Sequence, residues 1–114
     1  MSISYNDVSD NLRRIAISGR LDMEGTDSVA PQLVELTAAP KKGVVVDLSA
    51  VRFLASIGIR ALLVSAKAVQ ERGGRMVLVV NEGSTVNMSL KATGIDELIP
   101  IFNNTSDAER AAVA

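Results

Sequence analysis

The sequence contains neither cysteine nor histidine among its 114 residues. Their absence excludes disulfides, thiol nucleophiles, Cys/His zinc sites and acid–base catalysis by histidine. Aromatic residues are also scarce, at 3% of the chain, whereas hydrophobic residues make up 47%. The sequence therefore predicts a folded protein whose core is built from aliphatic side chains.

Concentrated positive charge is missing as well, because 12 Lys and Arg residues are offset by 13 Asp and Glu residues. No basic tract is available to hold nucleic acid or an anionic membrane by electrostatic attraction. No apolar run approaches the roughly 20 residues of a membrane-spanning helix. Residues 1–7 lack the basic segment and apolar run of a signal peptide. We therefore expect a cytoplasmic protein with no nucleic-acid partner and no membrane insertion.

Strand and helix patterns alternate along the chain after an initial pair of strands. Strands are predicted at 3–5, 12–18, 44–48, 75–80 and 98–101, the last at an edge because of Pro100. Helices are predicted at 27–38, 56–72 and 85–93, and a final helix from a capping-box pattern at 106–109. Segment 19–22 is expected to leave the sheet, and Pro31 to lie in the first turn of its helix. This order predicts a single α/β domain over residues 1–114, with a mixed, mostly parallel sheet of about four to five strands and about four helices.

The helix predicted at 56–72 has two apolar faces where an ordinary surface helix has one. The face expected to pack on the sheet comprises Ile59, Leu62, Leu63, Ala66 and Val69. The second face lies nearly opposite, with Ser65 at its edge, and comprises Ile57, Ala61, Val64 and Ala68. Two interpretations remain open for the second face: a neighbouring helix of the same domain covers it, or it is a docking surface for another protein.

Ser56 is placed at the start of this helix, where backbone N–H groups and the helix dipole favour negative charge. Its hydroxyl group is interpreted either as a phosphate acceptor or as a helix cap, and the two roles are compatible. Arg60 follows one turn later, where it either pairs with a phosphate or partner carboxylate or is an ordinary exposed arginine.

Five segments together carry a family resemblance over nearly the whole chain. They are Gly19-Arg20-Leu21-Asp22, Val45-Val46-Asp47-Leu48-Ser49, Phe53-Leu54-Ala55-Ser56-Ile57-Gly58-Ile59, and the segments 72–78 and 93–101. On these segments the sequence resembles STAS-domain proteins of the bacterial anti-sigma-factor antagonist family.

The resemblance implies a binding protein that is not an enzyme and needs no cofactor. Its partner would be an anti-sigma factor with a histidine-kinase-like ATPase domain, which acts as a serine kinase on the position of Ser56. The unphosphorylated protein would bind this kinase and free a sigma factor, phosphorylation would end the binding, and a phosphatase would restore it. Asp22 matches the family's exposed acidic residue, interpreted as a partner or metal-nucleotide contact or as a solvated turn carboxylate. The expected partner contacts are Asp22, Ile57, Gly58, Arg60, Ala61 and Val64.

The sequence departs from the family pattern on both sides of Ser56. Ala55 stands where the family has Asp, and Ile57 stands where it has Ser or Thr. These differences leave open a second function, that of an adaptor subunit in a transporter or signalling complex without phosphorylation. Catalysis is not expected, because the lysines show no catalytic spacing and the glycine pairs lack a phosphate-binding pattern.

Overall fold

The computed structural model describes residues 2–114 and arranges their strands in one sheet of order β1-β2-β3-β4-β5. β1 runs antiparallel to β2, whereas the pairs β2–β3, β3–β4 and β4–β5 are parallel. The strands are β1 (Ser2–Ser9), β2 (Leu12–Leu21), β3 (Gly43–Leu54), β4 (Arg75–Val79) and β5 (Ile101–Phe102). This topology confirms the predicted mixed, mostly parallel sheet and the position of the last strand at an edge.

Helices cover both faces of the sheet. They are α1 (Met23–Thr37), α2 (Ser56–Glu71), α3 (Thr85–Ala92) and α4 (Thr105–Ala112), with a short 3-10 helix at Ile95–Glu97. Alternate residues of β3 belong to different cores: Val44 and Val46 join the main cluster with α1, α2 and α3, whereas Val45 packs with α4. A strand buried on both faces explains why the run around 44–48 is uniformly apolar.

β2 and β3 extend well beyond their predicted ends. Gly19 and Leu21 pair with Val51 and Leu54, so residues 19–21 continue the sheet and the chain leaves it only at Asp22. Register shifts between Ala16/Ser18 and Gly19/Arg20 interrupt the side-chain alternation on which the prediction depended. β1 likewise reaches Ser9, past the predicted end at 5. The long β2–β3 pair carries the starts of α1 and α2 to the same edge of the sheet.

α1 begins at Met23, earlier than the predicted start at 27, because Asp22 caps it. The Asp22 carboxylate accepts a hydrogen bond of 2.8 Å from the amide of Gly25. Pro31 therefore lies inside the helix and not in its first turn, at the cost of one backbone hydrogen bond. Burial of Val29 and Leu33 on the same helix offsets that loss.

The C-terminal elements differ from prediction in their boundaries. Residues 95–97 form the 3-10 helix, so the last strand begins at Ile101 and not at 98. Asn104 caps α4 by accepting a 2.8 Å hydrogen bond from the amide of Asp107, which replaces the predicted capping box. Ser84 caps α3 by accepting a 3.1 Å hydrogen bond from the amide of Asn87.

Candidate functional site

The N-termini of α1 and α2 lie side by side where β2 and β3 end. Leu21 and Leu54 are paired in the sheet, and the amide of Ala55 donates a 3.0 Å hydrogen bond to the carbonyl of Leu21. Asp22 follows Leu21 directly, and Ser56 follows Leu54 after one intervening residue, Ala55. Both helices therefore start at the carboxyl ends of parallel strands, the usual location of functional sites in open α/β sheets.

Ser56 is exposed and is the first residue of α2. The N-cap is Ala55, in extended conformation and without a side-chain hydrogen bond, so the interpretation of Ser56 as the helix cap is wrong. Because no side chain caps α2, its first-turn amides remain available to an added anion. Arg60 is exposed one turn further along the same side of the helix.

Gly58 was predicted as a partner contact but is buried. A Cβ atom at this position would lie 2.8 Å from Cδ1 of Leu54 and 3.0 Å from Cβ of Leu21. The absence of a side chain thus lets the first turn of α2 lie close to the ends of β2 and β3. Gly58 positions Ser56 and Ile57 and offers no exposed surface of its own.

The second apolar face of α2 is partly covered by α1, and an open groove remains between the two helices. This α1–α2 groove has a volume of about 390 Å³ and is lined by Thr26, Asp27, Ala30, Val34, Ile57, Arg60, Ala61 and Val64. The exposed fractions of Ile57, Val64 and Val34 are 37%, 54% and 55%. The first interpretation is therefore correct for part of the face, because α1 packs beside α2. Apolar side chains of both helices stay in contact with solvent, so a docking surface remains a prediction.

Not every residue assigned to this face lies on the groove. Ala61 is half-buried within it and Ala68 is exposed further along the helix. Ser65, predicted at the edge of the face, is buried. Ser65 therefore does not form an exposed polar border of this face.

Asp22 has a structural role as the cap of α1, which its interpretation as a solvated turn residue did not include. Its second carboxylate oxygen lies 3.7 Å from Nε of Arg20, and the Arg20 guanidinium stacks 4.5 Å from the centre of the Phe53 ring. Sequence analysis did not single out Arg20 and Phe53 as neighbours, because their pairing depends on the register shift between β2 and β3. In the sequence, the scarcity of phenylalanine, with Phe53 one of two, is the signal that could have drawn attention to this end of β3.

Within residues 2–114, no cluster of acidic residues has the arrangement of a metal site. No helix in this part of the chain has both the length and the apolar character to cross a membrane. The geometry of the site is thus that of an exposed hydroxyl beside an apolar groove.

Comparison with known proteins identifies relatives along most of the chain. The profile of the STAS domain family matches residues 6–108. The anti-sigma-F factor antagonist RsfB of Mycobacterium tuberculosis is 30% identical over 96 residues, which cover 82% of this chain and 75% of RsfB. An anti-sigma factor antagonist from Mycobacterium paratuberculosis has a crystal structure with a TM-score of 0.85 at 24% identity, covering 99% of this chain and 96% of that chain.

A second solved structure shares the fold at lower identity. The Bacillus cell fate determinant SpoIIAA, in its phosphorylated form, gives a TM-score of 0.70 at 14% identity and covers 96% of this chain and 99% of that chain. The family profile includes both Asp22 and Ser56 within its range. From the extent of that match and the identity to RsfB, it follows that the chain belongs to the STAS domain family.

Proposed function

We propose that the protein is an anti-sigma-factor antagonist that binds an anti-sigma factor through the α1–α2 groove and is switched by phosphorylation of Ser56. The observation that carries the proposal is the exposed Ser56 hydroxyl at the uncapped start of α2, next to exposed Ile57. The printed name of the relative RsfB, an anti-sigma-F factor antagonist, supports the choice of partner class.

The groove has the composition of a protein-binding surface. Val34, Ile57 and Val64 supply exposed apolar area, and Asp27 and Arg60 supply charge of both signs beside it. Apolar area in the middle with charge at the rim is the usual anatomy of a protein interface. We expect the anti-sigma factor to place apolar side chains in the groove and to pair its own charges with this rim.

Phosphorylation of Ser56 would act locally and leave the fold in place. A phosphoserine adds about −1.5 to −2 charge at pH 7. In the free protein, the first-turn amides of α2 and the nearby Arg60 side chain would stabilise that charge. In the complex, the same charge would lose its water beside an apolar groove, which is unfavourable without a matching cation on the partner. The phosphate would thereby prevent binding, and a phosphatase would restore it.

The kinase would be the anti-sigma factor itself, through a histidine-kinase-like ATPase domain. In this scheme the STAS protein supplies the hydroxyl and the docking surface, and the partner supplies ATP and catalysis. The protein is then a binding partner and substrate rather than an enzyme, and needs no cofactor of its own.

A constitutive adaptor function is the second candidate, and one observation favours it. Ile57 is exposed next to Ser56 and has no hydroxyl group, and Ala55 has no carboxylate for a kinase to read. An adaptor would use the same α1–α2 groove to bind a transporter or signalling subunit, without a phosphorylation cycle.

Phosphate mapping distinguishes the two candidates. The protein is purified from its native cells and its intact mass is measured, followed by peptide mapping; the recombinant protein is treated in parallel with the anti-sigma factor and ATP. We expect one phosphate, on Ser56, and none in the Ser56→Ala variant. Phosphate on another serine or threonine with Ser56 bare would contradict the proposal, and no phosphate under either condition would favour the adaptor.

A further inference from the structure

A second cleft lies beside β5, at the edge of the sheet opposite to β1. This β4–β5 cleft has a volume of about 260 Å³ and is lined by Val80, Glu82, Asn87, Lys91, Ile101, Phe102 and Asn103. It opens where the parallel strands β4 and β5 end, with α3 along one side, and shares no residue with the groove. The carboxyl ends of parallel strands are where open α/β sheets bind small ligands.

The cleft contains a buried polar group without a partner. Asn87 is only 8% exposed, and within residues 2–114 its Oδ1 atom accepts no hydrogen bond. The fold does not need this oxygen for the cap of α3, since Ser84 bonds the main-chain amide of Asn87. Buried polar atoms are normally paired, because leaving one unpaired costs about 1–3 kcal/mol. The orphaned oxygen thus indicates a hydrogen-bond donor that the protein itself does not supply.

The charges around the cleft define the ligand further. Lys91 lies one helical turn after Asn87, on the same side of α3, and forms no ion pair with any other residue in the range 2–114. Glu82 is held in the cleft by a 3.1 Å hydrogen bond from Nδ2 of Asn103. Lys91 favours a ligand with a carboxylate, whereas Glu82 disfavours a molecule with several negative charges, such as a nucleotide, and favours an amino or hydroxyl group.

We propose that the β4–β5 cleft binds a small α-amino or α-hydroxy acid. The ligand carboxylate would pair with Lys91, and its amino or hydroxyl group would donate to Oδ1 of Asn87. Half-buried Ile101, which packs on the α3 side of the sheet, supplies an apolar wall for the ligand's side chain. The volume is just below the roughly 300–1,000 Å³ of clefts that hold drug-sized molecules, which suits a ligand of this size. This site is independent of the proposed phosphorylation switch.

NMR titration of the ¹⁵N-labelled protein tests the proposal with four probes: L-leucine, L-lactate, acetate and inorganic phosphate. We expect saturable shifts of backbone amides at 80–82, 87–91 and 101–103 with L-leucine or L-lactate. Acetate, which lacks the donor, should bind at least about tenfold more weakly. No saturable shift with either L-leucine or L-lactate, or equal affinity for acetate, would overturn the proposal.

Three variants separate ligand recognition from a structural role. Lys91→Gln and Asn87→Leu should each lower the affinity at least about tenfold, whereas Lys67→Gln, at an exposed lysine of α2, should not change it. Asn87→Leu should also raise the melting temperature, since it removes an unpaired buried oxygen. A lowered melting temperature in Asn87→Leu would show that the amide serves the fold, and unchanged affinity in Lys91→Gln would contradict the assigned role of the lysine.

Discussion

At position 56 a hydroxyl group stands at the first residue of α2 without capping the helix. The cap position belongs to Ala55, whose methyl group leaves the first-turn amides free of side-chain hydrogen bonds. Where the family pattern has an Asp before the serine, the carboxylate would add a negative charge at this helix end. Ala55 removes that charge, so the helix N-terminus here is more favourable to an incoming phosphate. The substitution would thus change what a kinase can read and would leave the proposed phosphate site intact.

Asp22 caps α1 through a hydrogen bond and also carries a negative charge near Arg20. Two variants separate the contributions of the hydrogen bond and the charge to stability. Asp22→Ala removes the cap of α1 and should lower the free energy of unfolding by about 1 kcal/mol, measured by urea unfolding. Asp22→Asn keeps an acceptor oxygen for the amide of Gly25, so its free energy of unfolding should fall by only about a few tenths of a kcal/mol. Equal losses in the two variants would show that the negative charge near Arg20, and not the cap hydrogen bond, stabilises this turn.

Gly58 should tolerate no side chain without a loss of stability. In Gly58→Ala the new methyl group would meet both Leu54 and Leu21, including the Leu21 carbonyl oxygen at 3.1 Å. Overpacking of this kind costs about 1–3 kcal/mol, only partly offset by the higher helix propensity of alanine. Chemical unfolding measures the loss, with Lys67→Ala on the exposed side of α2 as the control. A Gly58→Ala variant as stable as the wild type would mean that α2 can shift away from the sheet, and that Gly58 does not fix the position of Ser56.

Among the elements, the buried valine run of β3 and the whole of α2 were the easiest to predict, whereas the far end of β3 and the start of α1 were the hardest. A run of buried valines and a helix bounded by Gly73 have strong local signals. The start of α1 has a competing signal, because Pro31 favours a helix that begins near it and Asp22 lies far upstream of Pro31. The real start is set by the Asp22 cap, and burial of Thr26, Val29 and Leu33, which the local sequence does not report, stabilises the first turns.

The site was predictable where it depends on one helix and unpredictable where it depends on two. The 3.6-residue period of α2 correctly separated the exposed Val64 from the buried Val69. The contribution of Val34 could not be found in this way, because it comes from α1 and becomes adjacent only when the helices pack. The interior position of Gly58 likewise follows from the approach of α2 to β2 and not from its period.

A substitution on the exposed face of α2 should affect partner binding without affecting stability. Val64→Asp places a charge at a position that is 54% exposed, so the free energy of unfolding should change by less than about 0.5 kcal/mol. Binding of the anti-sigma factor should be lost, because the charge would have to be desolvated in the α1–α2 groove.

Two controls on α2 accompany the Val64→Asp measurement. Val69→Asp lies in the fully buried face and should prevent folding. Lys67→Asp changes charge at an exposed position outside the groove and should leave both folding and binding near wild-type levels. A loss of stability in Val64→Asp comparable to that of a core substitution would show that α1 already covers this face.

On the scale of the whole molecule, two surfaces with different chemistry lie at the carboxyl ends of the parallel strands. The long β2–β3 pair ends at the apolar α1–α2 groove and Ser56, and the short β4 and β5 strands end at the polar β4–β5 cleft. α4 packs with Leu12, Val45 and Val77 on the opposite face of the sheet and takes no part in either site. A phosphate on Ser56 therefore has no need to alter the core, and its effect on a partner is expected from local charge alone.

The proposed switch is best tested by calorimetric titration of Ser56→Asp and Ser56→Ala against the anti-sigma factor with its histidine-kinase-like ATPase domain. Both variants should fold normally, since the Ser56 side chain is exposed and does not cap α2. Ser56→Ala should bind as tightly as the unphosphorylated wild type, and Ser56→Asp, which carries one charge of the phosphate, should bind at least about tenfold more weakly. Equal affinities of two folded variants would contradict the switch at Ser56.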